Sequence, residues 1–380
     1  MGNWSFLVVA VVITALAFDF TNGFHDTANA MATSIATGAL PPRIAVAISG
    51  ALNLVGAFLS TEVAKTISGG IVDDSLVKPS MIFAGLVGAI MWNLVTWLLG
   101  LPSSSSHALF GGLIGATWVG AGVKGVHFST VMEKIVIPAL ASPLIAGVVA
   151  MTATYLAYVI TSRGDRNKVG RGFKGGQIAS ASLVSLAHGT NDAQKTMGVI
   201  TLTLISAGIL SHGSGPPWWV VLMAGLAIAL GTYIGGWRII RTMGKGLTDI
   251  ESPQGFAAET SATTVILASS HLGFALSTTQ VCSGAILGAG VGRRLAEVRW
   301  SVAGRMVLAW VFTLPAAAAV GGVAAAVAEQ GTVGISVVFI AAVAVAVAIY
   351  AISRRNPVHA GNVNEQRTTT VLPPPQASAA

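Results

Sequence analysis

Asn22-Gly23-Phe24-His25-Asp26-Thr27-Ala28-Asn29 sets a carboxylate, an imidazole and two amides inside an apolar run that starts at Trp4 and resumes at Ala30. A charged side chain near the centre of a bilayer costs at least about 2.5 kcal/mol, so an acid in such a run marks a functional site by default. The phrase returns as His188-Gly189-Thr190-Asn191-Asp192-Ala193-Gln194-Lys195 in an equally apolar setting. Asp192 stands where Asp26 stood, and the two stretches read as one binding site made twice.

The composition agrees. Charged residues are 9% of 380 and hydrophobic residues 53%, with 45 glycines, whereas a soluble domain carries roughly 25% charge. Runs long enough for a hydrocarbon core of about 30 Å recur along the chain, so the expected class is an all-α polytopic membrane protein. The first run opens Met1-Gly2-Asn3-Trp4, without a basic leader or a small-residue cleavage site, and is not read as a cleaved signal peptide. Cys282 is the lone cysteine, which excludes an internal disulfide or a cysteine metal cage. The net charge of +7 sits mainly in short inter-helix loops, where it sets orientation, and no nucleic-acid partner is expected.

In chain order, a first segment over about 5–38 carries Asp19 and Asp26 one heptad apart, near one helical face. Gly23 and Gly38 read as weak points in it. Pro41 and Pro42 end it, 44–65 is expected to cross back, and Asp73 and Asp74 form an acidic loop. An apolar run from Phe83 to Gly100 breaks at Pro102 and restarts at Ser103-Ser104-Ser105-Ser106-His107, with hydroxyls where N-caps belong. A crossing over 131–160 carries Pro138 and Pro143. Then Arg163, Arg166, Lys168, Arg171 and Lys174 form a basic loop expected on the cytoplasmic side. The expected organisation is a first membrane repeat over 1–162, the basic loop over 163–176, a second repeat plus an extra helix over 177–352, and a disordered cytoplasmic tail over 353–380.

Two registers define the repeat. Gly23 and Asp26 map onto Gly189 and Asp192 at one offset; Phe83, Ser104, Gly111 and Gly115 map without gaps onto Phe256, Ser277, Gly284 and Gly288 at another. Ser104-Ser105-Ser106-His107 thus lies over Ser277-Thr278-Thr279-Gln280, and each copy continues into a G-x-x-x-G, read as close helix packing. Arg241 with Lys245, Arg293 with Arg294 and Arg354 with Arg355 all lie inside only if 256–290 enters and leaves on one side. The expectation is two inverted structural repeats with broken helices and two re-entrant helical hairpins, the plan of secondary transporters.

Hairpins restarting at Ser103 and Ser277 would aim two helix N-termini at each other, a ready anion site. Ser104, Ser105, Ser106, Ser277, Thr278 and Thr279 add neutral donors, although such hydroxyls often serve only as caps. Asp26, Asn29, Asp192 and Asn191 offer hard oxygens for Na⁺, a divalent metal or a proton. Anion and cation poles side by side imply coupled movement of both. The bland reading makes the acids structural partners of backbone freed at the glycines. His25 and His107 are either buried neutral rings or proton and substrate handlers. Lys195, one turn beyond Asp192, is read as its ion-pair partner. An intramembrane hydrolase would use buried Ser, His and Asp, but the chain lacks G-x-S-G and a duplicated site does not suit a nucleophile and base. An anion channel would share the dipoles yet gain nothing from two buried acids.

These motifs resemble the inorganic phosphate transporter (PiT) family. Its duplicated G-x-N-D signature is similar to Gly23–Asn29 and Gly189–Asp192, and its S-T-T-H hairpins to Ser104–His107 and Ser277–Gln280. Its G-F-x-x-E is similar to Gly255-Phe256-Ala257-Ala258-Glu259. The resemblance covers about 5–350. It implies no enzyme but symport of inorganic phosphate across the cell inner (plasma) membrane, with the hairpin hydroxyls and Asn29 and Asn191 on the substrate. Asp26, Asp192, His25 and Glu259 are implied on the coupling-ion side, with Asp26 and Asp192 also able to hold a metal. Phe24-His25 resembles the bacterial low-affinity branch, which implies proton coupling and phosphate carried as a neutral complex with a divalent cation. Lys65 before Thr66-Ile67 and Gln280 in the second hairpin depart from the sodium-coupled pattern. Expected partners are phosphate, H⁺ or Na⁺ and membrane lipids; no cofactor is implied, and a homodimer is left open. Sulfate or another oxyanion, and sodium coupling, are the alternatives within the fold.

Overall fold

The structure, a computed structural model, describes residues 4–293 and 298–365. Two long helices organise it, α1 (Phe6–Ala36) and α8 (Arg166–Ser206). The others are α2 (Pro42–Gly56), α3 (Glu62–Gly70), α4 (Pro79–Leu99), α5 (Ser105–Ala121), the single turn α6 (Phe128–Val131), α7 (Ile137–Thr161), α9 (Trp218–Ile234), α10 (Trp237–Arg241), α11 (Ser252–His271), α12 (Thr278–Arg293), α13 (Trp300–Ala328) and α14 (Thr332–Ser353). No strand occurs among the described residues, only isolated bridges. Among the described residues, five helices are long and apolar enough to cross a membrane, six if the bent pair α9–α10 is one span.

Ser5 starts α1 by accepting the Val8 N–H at 3.3 Å, and Asp165 starts α8 by accepting from Asn167 and Lys168 at 2.8 and 3.1 Å. Both helices run unbroken through the repeated motif. Gly23 is therefore not a weak point: a Cβ there would lie 2.9 Å from Thr232 N and 3.1 Å from Gly231 Cα of α9. Its counterpart Gly189 meets Asn53 of α2 in the same way. The missing side chains let backbones approach, which is the use of small residues in membrane helices. Gly38, by contrast, lies beyond the end of α1 with φ +70°.

The two hairpins follow one plan. α5 folds back along α4, so closely that a Cβ added to Gly85 would lie 2.9 Å from Leu113 Cα. The outer ends of the pair are tied by the Val72–Val126 bridge and by Asp73 N donating to Gly125 O at 3.0 Å. α12 folds back along α11, tied by the Thr248–Val298 bridge and by Arg299 N to Leu247 O at 2.8 Å. Each hairpin is covered by a helix of the other half. Gly111 and Gly115 of α5 sit under the Leu314 and Ala318 carbonyls of α13, while Gly284 and Gly288 of α12 sit under those of Pro143 and Gly147 of α7. Both G-x-x-x-G motifs are thus packing devices.

Burial is inverted relative to a soluble protein. Leu140, Leu144 and Ile145 on α7 and Phe339 and Ile340 on α14 are exposed, while Asp19, Asn22, Asp26, Asp192, Lys195 and Glu259 are buried. Such a surface is stable only against lipid, so the chain is a multi-pass membrane protein. At one end of the bundle Trp4 stacks near Trp219 and Asp74 meets His212 at 2.9 Å. The other end gathers Phe173 with Phe256, Thr37 with Gln177, and Arg299 with Asp249.

The expected crossing over 44–65 and the apolar segment over 217–240 are not single helices. Within 44–65 the chain stops at Gly56 and restarts as α3, because Gln194 of α8 reaches across and accepts the Val63 and Ala64 N–H groups at 2.8 and 3.2 Å. Within 217–240 it bends by 59° between α9 and α10, where Gly235 has φ +80° and Gly236 packs under the Phe24 carbonyl. Of the tail read as disordered, residues up to Glu365 are described. Val363 is buried and Asn364 Nδ2 donates to Ile35 O at 3.2 Å, which orders this part. Residues 366–380, and Arg294 of the expected inside pair, lie outside the described residues.

These approaches give a stability test. Gly189→Val forces a side chain into Asn53, and overpacking of this kind costs about 1–3 kcal/mol or more. Gly172→Ala, with nothing within 4 Å of the added carbon, should be neutral or stabilising by up to about 1 kcal/mol. Thermal unfolding in detergent should show a lowered midpoint for the first and none for the second.

Candidate functional site

The restarts of α5 and α12 meet the repeated motifs of α1 and α8 at the centre of the bundle. The same contact is made twice. Ser105 Oγ donates to Asp26 Oδ2 at 2.7 Å, and Thr278 Oγ1 donates to Asp192 Oδ2 at 3.0 Å. The hairpins also bind each other, through Ser106 Oγ to Leu276 O at 3.2 Å and Gln280 Nε2 to His107 Nδ1 at 3.4 Å. Ser104 and Ser277 have the plainer role that hydroxyls at helix starts often have: they accept the His107 and Gln280 N–H groups at 3.1 and 3.3 Å as caps. The N–H groups of Ser105, Ser106, Thr278 and Thr279 fall in first turns, where no preceding turn supplies a carbonyl.

Where the two copies differ, one difference carries a fixed charge. Asn29 lies one turn beyond Asp26 and Lys195 one turn beyond Asp192, at the offset of the repeat. Asn29 Nδ2 donates to Thr278 and Thr279 at 3.2 and 3.1 Å. Lys195 Nζ correspondingly donates to Ser106 Oγ at 2.5 Å and is ion-paired with Asp192 Oδ1. Both residues of the pair are 0% exposed. The second half of the site thus holds an ammonium where the first holds an amide.

Histidines complete the centre. His25 Nδ1 lies 2.6 Å from Asp26 Oδ1, with its Nε2 on Thr96 at 3.1 Å and Ser103 at 3.4 Å. His188 Nδ1 meets Asn53 Oδ1 at 3.2 Å; its Nε2 lies 2.9 Å from Asp192 Oδ2 but is poorly aligned for a hydrogen bond. Asp26, His188 and Asp192 each offer a ligand atom within 4.8 Å of the others, a geometry that could grip a divalent cation. His188 opens the second motif, and the structure brings it to the acid of that motif. Only its position one turn before Asp192 could have drawn attention to it.

Two expected residues lie elsewhere. Asn191 turns to α11 and donates to Ser270 at 2.8 Å, away from the Ser104–Ser106 cluster. Glu259 sits two helical turns along α1 from Asp26, accepting from Thr33 (2.5 Å), Ser34 (2.8 Å), Gln177 (3.2 Å) and Ser180 (2.5 Å). Four neutral donors hold this buried acid.

The fold and this centre define a helical multi-pass membrane protein whose polar groups converge where two hairpin tips meet two long helices. The PHO4 phosphate transporter family profile matches twice, over 22–166 and over 160–321. The chain belongs to the phosphate transporter family. It is 58% identical over 362 residues to a probable low-affinity inorganic phosphate transporter of Mycobacterium bovis, covering 94% of this chain and 87% of the relative. Probable low-affinity inorganic phosphate transporters of Rhizobium meliloti (45% over 313 residues, 82% and 93% covered) and Bacillus subtilis (42% over 320 residues, 84% and 96% covered) are also similar. A solved sodium-dependent phosphate transporter shares the fold, with TM-score 0.76 over 86% of this chain and all of that one, at 24% identity.

The buried ion pair has a measurable signature. Lys195→Met leaves Asp192 charged and uncompensated, which costs about 3–5 kcal/mol, whereas a double change that removes both charges is far less damaging. In detergent, Lys195→Met should unfold at a markedly lower temperature than Lys195→Met with Asp192→Asn. Equal losses in the two would mean that Lys195 does not compensate Asp192.

Proposed function

We propose that the protein is a proton-coupled symporter that imports inorganic phosphate across the plasma membrane, with the anion held between the starts of α5 and α12. The observation that carries this reading is the twice-made contact of hairpin hydroxyl and helix carboxylate, Ser105–Asp26 and Thr278–Asp192. An oxyanion arriving at Ser105, Ser106, Thr278 and Thr279 displaces these hydroxyls from the acids, and the two helix dipoles favour its charge. The acids then need compensation, which makes anion binding depend on a cation or a proton. That dependence is the physical content of symport.

Lys195 favours the proton. Its ammonium already lies on Asp192 and Ser106, where a sodium ion bridging acid and hairpin would sit. The remaining acid of the centre, Asp26, carries His25 as a ready proton partner. Glu259 extends the coupling side through Thr33 and Ser34. A divalent cation between Asp26, His188 and Asp192 would enter as cargo with the phosphate.

Each hairpin is closed at its own end of the bundle and covered by a helix of the other half, which supports the inverted-repeat reading. On that reading the hairpins are re-entrant, the bundles rock about the site, and the end carrying Arg163–Lys174 faces the cytoplasm. A cavity of about 660 Å³ opens at that end and reaches the α4–α5 break at Gly100 and Leu101; Arg238, Arg241, Lys245, Arg299 and Arg305 line it, against one acid, Glu365. A basic vestibule leading to the hairpin suits release of an anion.

Labelled phosphate uptake into proteoliposomes tests the reading. Wild type should accumulate phosphate under an imposed proton gradient, with or without sodium, and Asp26→Asn should abolish it. Accumulation driven only by a sodium gradient would replace the proton with Na⁺. Equilibration without accumulation would make the protein a passive conductor, and competition by sulfate stronger than by phosphate would change the anion.

A further inference from the structure

Asp19 is unlike the other buried acids of the chain. Asp26, Asp192 and Glu259 each accept several hydrogen bonds, and the first two also touch a basic side chain. Asp19 is 0% exposed, and neither carboxylate oxygen has a hydrogen-bond partner among the described residues. It faces Asn22 of its own helix and Thr196 of α8, whose side-chain polar atoms are buried and equally unpartnered. A buried polar group without a partner requires an explanation, and a charged one most of all.

The surroundings supply no counter-charge. α4 and α9, which pack against α1, contain no charged residue. α8 offers Asp192 and Lys195, which neutralise each other, and the charged groups of α1 nearest in sequence are His25 and Asp26. A carboxylate here could accept only from the neutral Asn22 amide and Thr196 hydroxyl, with no counter-charge beside it. A carboxylic acid keeps one such acceptance at its carbonyl and adds an O–H that donates to the Asn22 or Thr196 oxygen. One added proton therefore removes the uncompensated charge and leaves the group hydrogen-bonded.

Position gives this proton a direction. Asp19, Asp26 and Thr33, the last bonded to Glu259, follow at heptad intervals along α1. At 1.5 Å per residue the steps are about 10 Å each, and the drift around the helix is only about 20° per heptad. Three acids therefore line one face of α1, with Asp19 towards the Trp4–Trp219 end and Glu259 towards the Thr37–Gln177 end. We propose that Asp19 is the proton-loading residue of the transporter, taking up one H⁺ as a carboxylic acid on the side of Asp26 away from the basic vestibule and giving it up within the transport cycle.

This inference rests on the proton-coupled reading above, and the two fail separately. The experiment compares wild type, Asp19→Asn and Asp19→Glu in proteoliposomes by three readouts: exchange of labelled for unlabelled phosphate without a gradient, accumulation under a proton gradient, and proton influx reported by an internal pH dye. Asp19→Asn mimics the loaded acid and should retain exchange while losing accumulation and proton influx. Asp19→Glu should keep both, with the pH dependence of accumulation displaced. Accumulation and proton influx unchanged in Asp19→Asn overturn the assignment. Loss of exchange in Asp19→Asn that Asp19→Glu does not relieve also overturns it, because the residue then serves the fold. Wild-type exchange without any proton-driven accumulation overturns proton coupling itself.

Discussion

A carboxylate in the middle of a membrane has to be matched within a few ångströms, because neither water nor distant charge reaches it. The centre of this protein is the outcome of that constraint applied twice. α1 and α8 bring Asp26 and Asp192 to the midpoint, and the two hairpins end there with Ser105 and Thr278 aimed at them. Everything that lets the hairpins reach so deep follows from this. Gly111, Gly115, Gly284 and Gly288 let α5 and α12 press against the backbones of α13 and α7, and the bridges at 72/126 and 248/298 close the outer ends. Without the close packing, the polar helix starts would face lipid, where unsatisfied N–H groups cost several kcal/mol each.

The two halves are matched in backbone and unequal in charge. Asn29 and Lys195 occupy equivalent positions and make equivalent contacts to the opposite hairpin, yet only one brings a cation. The consequence is a site whose second acid is permanently compensated and whose first depends on a histidine. The solved sodium-dependent phosphate transporter shares the fold at 24% identity, and a common backbone does not fix the chemistry that side chains add at a few positions.

α1 is the element through which the parts communicate. Its central turn carries His25, Asp26 and Asn29, its first half Asp19 and Asn22, and its last turns Thr33 and Ser34, which hold Glu259. Beyond its end the chain past α14 is pinned on it through Asn364 and Ile35. A rigid-body movement of α1 would disturb all three acids together, which is the mechanical requirement for exchanging one set of partners for another.

The residue string alone determined the membrane class, the duplicated motif and the paired hairpins, because each leaves a linear trace. An acid in an apolar run, a constant offset between copies, and serines after a proline are visible without a fold. The pairing of Lys195 with Asp192 was also legible, since one helical turn separates them. Only the tertiary structure decided that Gly23 packs a helix instead of breaking it, that Gln194 of α8 starts α3, that Asn191 turns away from the hairpin serines, and that His188 joins the centre. Each of these depends on what a different segment presents across a contact. Sequence periodicity fixes which face of a helix a residue occupies; the partner on the other side of that face is set by how distant segments pack, and the isolation of Asp19 appears only when every helix around it has been placed.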